Sequence, residues 1–155
     1  MTLRRPLILE GLAVFSALLF TACAGVPDAP LEPMDLGTYT VVEFRLPSTD
    51  HSASPYGQRL IGTHFTFGPY KVEFPEAYGQ SACVHDGYRL TDREANFIPP
   101  FDLGAGNSYT LTELDISDRQ LTEIWSSCIN GAYMTTDRTK MYLPAQGVLL
   151  ILEKQ

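Results

Sequence analysis

The chain has 155 residues, 45% of them hydrophobic and 19% charged, with a formal net charge of −7. That length suits one ordinary domain able to bury a core without help from a metal. The acidic balance argues against nucleic-acid backbones and anionic headgroups as partners, and leaves a basic protein partner or plain solubility as its use.

The first elements read as an address rather than as structure. Arg4 and Arg5 face a single acid, Glu10, and Gly11 to Phe20 is almost wholly apolar before Thr21, Ala22 and Cys23. A positive start, a short apolar run and a small-residue exit are the parts of a secretory signal. A spanning helix needs roughly 18 or more apolar residues, and this run is too short. Phe20-Thr21-Ala22-Cys23 resembles the lipobox of bacterial lipoproteins, with Phe20 where Leu is usual. The resemblance implies a diacylglycerol on the Cys23 thiol, cleavage after residue 22 and acylation of the new amino group. Several acyl chains together hold a protein on a membrane, which one chain alone does only marginally. Ala24 after the Cys implies, by the same resemblance, sorting to the outer membrane facing the periplasm. An ordinary signal peptide with an incidental Cys is the alternative. Arg4-Arg5-Pro6-Leu7-Ile8 also resembles a twin-arginine signal, with Leu3 where a polar residue is usual, so the export route stays open.

Removing residues 1–22 takes away two cations and one anion and moves the net charge from −7 to −8. With Cys23 lipidated, Cys83 and Cys128 remain. In an oxidising periplasm two remaining thiols pair as a disulfide, the alternative being two separate buried thiols. Residues 23–36 carry Pro27, Pro30 and Pro33 between acids, which reads as an extended, semi-rigid tether ahead of a domain at 37–155.

Gly37 to Leu46 is rich in β-branched and aromatic residues, a first strand with Val42, Phe44 and Leu46 on one face. Pro47 to Gly57 reads as a polar loop. His64-Phe65-Thr66-Phe67 and Tyr70 to Phe74 alternate around Gly68-Pro69, a hairpin with an aromatic inner face. A shorter strand is expected in Ser81 to Leu90, and a long surface loop in Thr91 to Asn107. Ser108 to Leu114 can form a strand. Ser117-Asp118-Arg119-Gln120 has the form of a capping box, and one short helical turn is expected there. Leu121 to Cys128 suits a helix face or a strand face, and we favour a turn leading into a strand. Ala132–Thr136, Lys140–Leu143 and Gly147–Lys154 complete a meander, with turns at Thr136–Thr139 and Pro144–Gly147. The last strand is apolar on both faces and should be central or close a barrel.

About eight strands with short, turn-rich connections predict an all-β fold, a small antiparallel barrel. Gly37-Thr38-Tyr39 resembles the Gly-x-Trp opening of lipocalins, with Tyr in place of Trp. Ile61-Gly62, Cys83, Tyr88, Cys128 and the strand after Gly147 are similar, diffusely, to small envelope lipoproteins of lipocalin-like or inhibitor type. The resemblance implies a barrel that binds something.

Residues able to do chemistry do not fall into a reactive pattern. His85-Asp86 is a candidate base and orienter, or a pair of metal ligands, yet an adjacent pair near Gly87 also suits a solvated turn. His51 and His64 lack a second ligand at metal spacing. Ser126-Ser127 lack the Gly-x-Ser-x-Gly elbow of hydrolases. Glu73 and Glu76 offer two carboxylates, as in glycosidases. Gly104-Ala105-Gly106 lacks the Lys of a phosphate loop. No catalytic residue, metal or cofactor is therefore expected. Tyr39, Tyr88 and Trp125, near strand ends, are the candidates for contact with a ligand or partner. The favoured reading is a non-enzymatic, lipid-anchored envelope protein binding a protein partner, including as an inhibitor of an envelope-acting enzyme. A lipocalin-like carrier of a small apolar ligand is the alternative, and a hydrolase using Ser, His or Glu groups comes last.

Overall fold

The computed structural model describes residues 30–46, 54–104 and 107–155. The expected signal segment, Cys23 and His51 lie outside the described residues. Nine strands form one curled antiparallel sheet, a half-barrel: β1 (Gly37–Arg45), β2 (His64–Phe67), β3 (Lys71–Glu73), β4 (Ala82–Val84), β5 (Arg89–Glu94), β8 (Gln120–Ser126), β9 (Ile129–Thr135), β10 (Lys140–Ala145) and β11 (Val148–Lys154). Their order across the sheet is β4-β3-β2-β1-β11-β10-β9-β8-β5. The remaining two described strands, β6 (Phe101–Gly104) and β7 (Asn107–Tyr109), form a separate hairpin. The all-β fold expected from the turn-rich pattern is present.

Strand β11 is central, between β1 and β10, as its two apolar faces require. Val148, Leu150 and Leu152 enter an inner core with Tyr39, Val41, Phe65, Phe67 and Ile124. Leu149 and Ile151 enter a second core on the other face with Leu121, Tyr133 and Tyr142. Phe101, Leu103, Leu114 and Ile116, from the 95–119 excursion, cover that second core. A strand buried on both faces cannot show the alternation of a half-exposed one, and its sequence is accordingly a continuous apolar run.

The inner core is solid. Tyr39, Leu60, Phe65, Phe67, Val72, Tyr88 and Ile124 expose none of their surface. Phe65 meets Phe74 and Tyr78 edge-on at 5.9 and 5.2 Å between ring centres, and Phe74 stacks on Tyr78 at 4.8 Å. These are the offset and T-shaped arrangements that aromatic rings favour.

Several elements depart from the expected pattern. In β1 the register shifts between Val41 and Glu43, a bulge at Val42. Tyr39 and Val41 therefore face the core, and Val42 is turned out, 42% exposed. Beyond the bulge Phe44 and Leu46 pack against the core as expected. The segment read as a loop ending at Gly57 carries α1 (Pro55–Leu60), started by Pro55 and capped by Ser54, whose Oγ accepts from Gly57 N–H at 3.2 Å. Pro at the first helical position and Ser before it are the usual start signals. The stretch 91–107 is no featureless loop, since it holds the end of β5, a 3-10 turn at Ala95–Phe97 and β6. The capping-box segment 117–120 forms no helix. Gln120 enters β8, and Leu121 to Ser126 is a strand, as favoured.

The two late turns form as read. In the β9–β10 turn the Asp137 carboxylate accepts from Thr135 Oγ1, Thr139 N–H and Thr139 Oγ1, which holds its pKa below the ordinary value. Gln146 and Gly147 both have positive φ, the form of the tight hairpin turn that joins β10 to β11.

The boundary of the domain lies before Gly37. Glu32 exchanges two backbone hydrogen bonds with Tyr88, Leu36 N–H donates to the Phe67 carbonyl, and Leu36 is 1% exposed. From Glu32 onward the Pro-rich segment is packed on the domain and does not stand free as a tether through residue 36.

Candidate functional site

The sheet is curled but its edge strands β4 and β5 are not paired with each other. The seam between them gathers several of the residues singled out in the sequence: Cys83, Cys128, His85 and Tyr88. Four side chains or backbone groups hold it. Cys83 on β4 is bonded to Cys128, in the β8–β9 turn, with 5.8 Å between their Cα atoms. The Tyr88 hydroxyl donates to the Gly68 carbonyl at 2.9 Å. Glu32 bridges Tyr88 through the paired bonds above. His85 N–H donates to the Tyr70 carbonyl at 3.0 Å. The short connection 85–88 thus carries the chain from one sheet edge to the other, and the segment around Glu32 is laid over it.

Gly87 explains why the connection is so close to that segment. Its φ is +132°, and a Cβ there would lie 2.7 Å from the Glu32 carbonyl carbon and oxygen. Only a residue without a side chain admits this approach. Beside it, His85 is 4% exposed, its ring 4.4 Å from that of Tyr88. His85 Nδ1 accepts from Gly87 N–H at 3.0 Å, and Nε2 is buried without a partner. Asp86 is exposed and is not the group that orients the imidazole. The adjacent His-Asp pair is therefore turn chemistry, with the backbone of Gly87 in the place a carboxylate would need.

The remaining expected groups are dispersed. Glu73 is in an ion pair with Lys71 at 2.7 Å. His64 Nδ1 lies 3.0 Å from Thr40 Oγ1 and 2.9 Å from Gln155 Nε2, beside the middle of β1. Ser126 Oγ caps the β8–β9 turn by accepting from Cys128 and Ile129 N–H. Among the described residues no group of three or more His, Cys, Asp or Glu side chains is placed to hold a metal ion.

The three aromatic candidates for contact separate on burial. Tyr39 and Tyr88 are fully buried, and their hydroxyls donate to the Arg138 and Gly68 carbonyls. Burial pushes both phenols above their ordinary pKa. As contacts for a surface partner these two are corrected: both side chains belong to the inner core, Tyr39 from β1 and Tyr88 from beside the Glu32 bridge. Trp125 remains half-buried on the surface, with the Arg89 guanidinium 4.8 Å from its ring centre.

Three surface clefts have volumes of about 310, 270 and 210 Å³. None of them is lined by a His or Cys. The second is walled by Phe101, Tyr133, Glu123 and Asn130. Burial, with the nearby Glu123 carboxylate, raises Tyr133 to about 12. Glu123 accepts two bonds from Arg93 at 3.0 and 2.8 Å. Tyr133 is thus held protonated beside an ion-paired carboxylate.

The exposed apolar residues are what the sequence reading missed. Tyr70 is 57% exposed and Val84 is 78% exposed, both at the tip of the β3–β4 ribbon next to the seam. Strict alternation placed Tyr70 on the inner aromatic face; it overhangs the end of the ribbon because β3 begins at Lys71. Comparison with protein-family models, with curated proteins and with solved structures finds no match to this chain.

Proposed function

We propose that this chain is an exported envelope protein, anchored by lipid on Cys23, whose β-domain binds a protein partner and performs no chemistry of its own. The observation that carries this reading is the Cys83–Cys128 bridge across the seam. Such bonds persist in oxidising compartments and are rare where thiols are kept reduced. It fits the positive start, apolar run and lipobox-like exit at residues 1–23. The filled inner core leaves the outer surface for recognition, and the net charge of the mature chain favours a basic partner, such as an envelope-acting enzyme that this domain would inhibit. The same filled core weighs against the lipocalin-like carrier of an apolar ligand.

The test has two parts. Cells supplied with labelled palmitate should incorporate it into the wild-type chain and not into Cys23→Ser. A pull-down from envelope extract with the lipidated chain should recover a basic protein that competes with added salt. No label, or no protein above background, would count against the reading.

A further inference from the structure

We infer that the tip of the β3–β4 ribbon, formed by Pro69, Tyr70 and Val84, rests in the headgroup region of the bilayer to which the chain is anchored. This rests on the proposed lipid at Cys23. The three residues are exposed, and Tyr70 and Val84 are among the most exposed large apolar side chains of the described residues.

The first argument is reach. Glu32 lies nine positions after Cys23, and nine residue steps span at most about 32 Å. Glu32 is fixed to the seam by its bridge to Tyr88. A domain of this size is about 35 Å across, so bringing its far pole to the membrane would need about 55 Å of chain around its side. The anchor therefore keeps the seam's own side toward the bilayer. The tip is on that side: Tyr88 donates to Gly68, His85 to Tyr70, and Gly87 touches Glu32.

The second argument is shape and polarity. Val84 is opposite Lys71 on the outer face of the ribbon, and Tyr70 is opposite His85, one step along and so of the other face. Apolar side chains that leave a ribbon on both faces at its end are covered together by a fluid medium entered end-on, not by a flat partner. Tyr is favoured at membrane–water interfaces for its apolar ring and polar tip. Lys71, Glu73 and Asp86, all exposed, limit the depth to the headgroups. The Lys71–Glu73 pair cancels its own charge there.

The experiment uses the lipidated full chain in vesicles of phosphatidylethanolamine and phosphatidylcholine, whose headgroups carry no net charge, with amide hydrogen exchange followed at 69–73 and 82–84. By the antiparallel alternation the Val84 amide points away from β3 and so reports the outer edge. Exchange in both segments should slow several-fold on vesicles relative to the Cys23→Ser chain in solution. The Tyr70→Ser/Val84→Ser chain should lose that protection while still sedimenting with the vesicles through its lipid. Unchanged exchange in a chain shown by mass to be lipidated overturns the docking and leaves the anchor standing. An unmodified Cys23 overturns both. Protection that appears without vesicles and grows with protein concentration identifies a second copy on the tip, and also overturns the inference.

Discussion

Opening the Cys83–Cys128 bond should destabilise the domain by about 4 kcal/mol. The two residues are 45 apart in sequence, and closing a loop of that length removes about 13 cal/mol/K from the unfolded chain in the chain-entropy model. The Tyr88–Gly68, Glu32–Tyr88 and His85–Tyr70 hydrogen bonds stay in the native seam once the disulfide is gone, so the loss is the entropy of the unfolded chain alone. For a domain of this size each kcal/mol moves Tm by about 3 to 4 °C, and the shift should be about 15 °C. Thermal unfolding of the wild type with and without reductant, and of the Cys83→Ser/Cys128→Ser chain, measures it. The two routes should agree, and exchange at 82–88 should accelerate before the midpoint is reached. A shift under about 4 °C would refute the reasoning, because the seam would then be held by its backbone bonds and packing alone.

Three further outcomes follow from the geometry. Gly87→Ala should cost about 2 kcal/mol or more, since its Cβ would meet the Glu32 backbone; chemical denaturation reads it, and the Glu32 amide should exchange freely in the variant. Leu36→Ala should cost about 2 to 5 kcal/mol by leaving a cavity in the inner core. A loss below about 0.5 kcal/mol, the surface range, would show that residues 32–36 are a free tether after all. In an ultraviolet titration Tyr56 and Tyr133, raised chiefly by burial, should ionise near 12 rather than 10. Their folded pKa exceeds the unfolded one, so the stability they contribute is complete below pH 10 and is lost as pH rises through about 12. Ionisation of both near 10 in the folded protein would contradict their burial.

Period-two patterning exposed most of the sheet to inspection, because β2, β3, β8 and β9 to β11 bury one or both faces and their side chains say so. It misled where a local device broke the period. The Val42 bulge moved a predicted core residue to the surface and left Tyr39 inside. The helix at Pro55–Leu60 is six residues long, too short for a helical period to accumulate, and its start signals look like those of a polar loop. The stretch 91–107 reads as a loop because its strands are short, and the apolar residues of the 95–119 excursion find a core only through the outer face of β8 to β11. The pairing of Cys83 with Cys128 was legible from counting thiols in a chain that reads as exported. The seam was not, because it is made by the Glu32–Tyr88 bridge and the close approach at Gly87, contacts between segments far apart in sequence. Burial of Tyr39 and Tyr88 depends on an inner core assembled from segments far apart in sequence, which no single strand encodes.

Intact mass spectrometry of the native protein bears most directly on the central claim, an exported domain held at the membrane by lipid and closed by one disulfide. The account predicts a chain that starts at residue 23, carries acyl chains on Cys23, and has no thiol able to react at 83 or 128 until it is reduced. A chain with an unmodified Cys23, or with free thiols at 83 and 128, would contradict it.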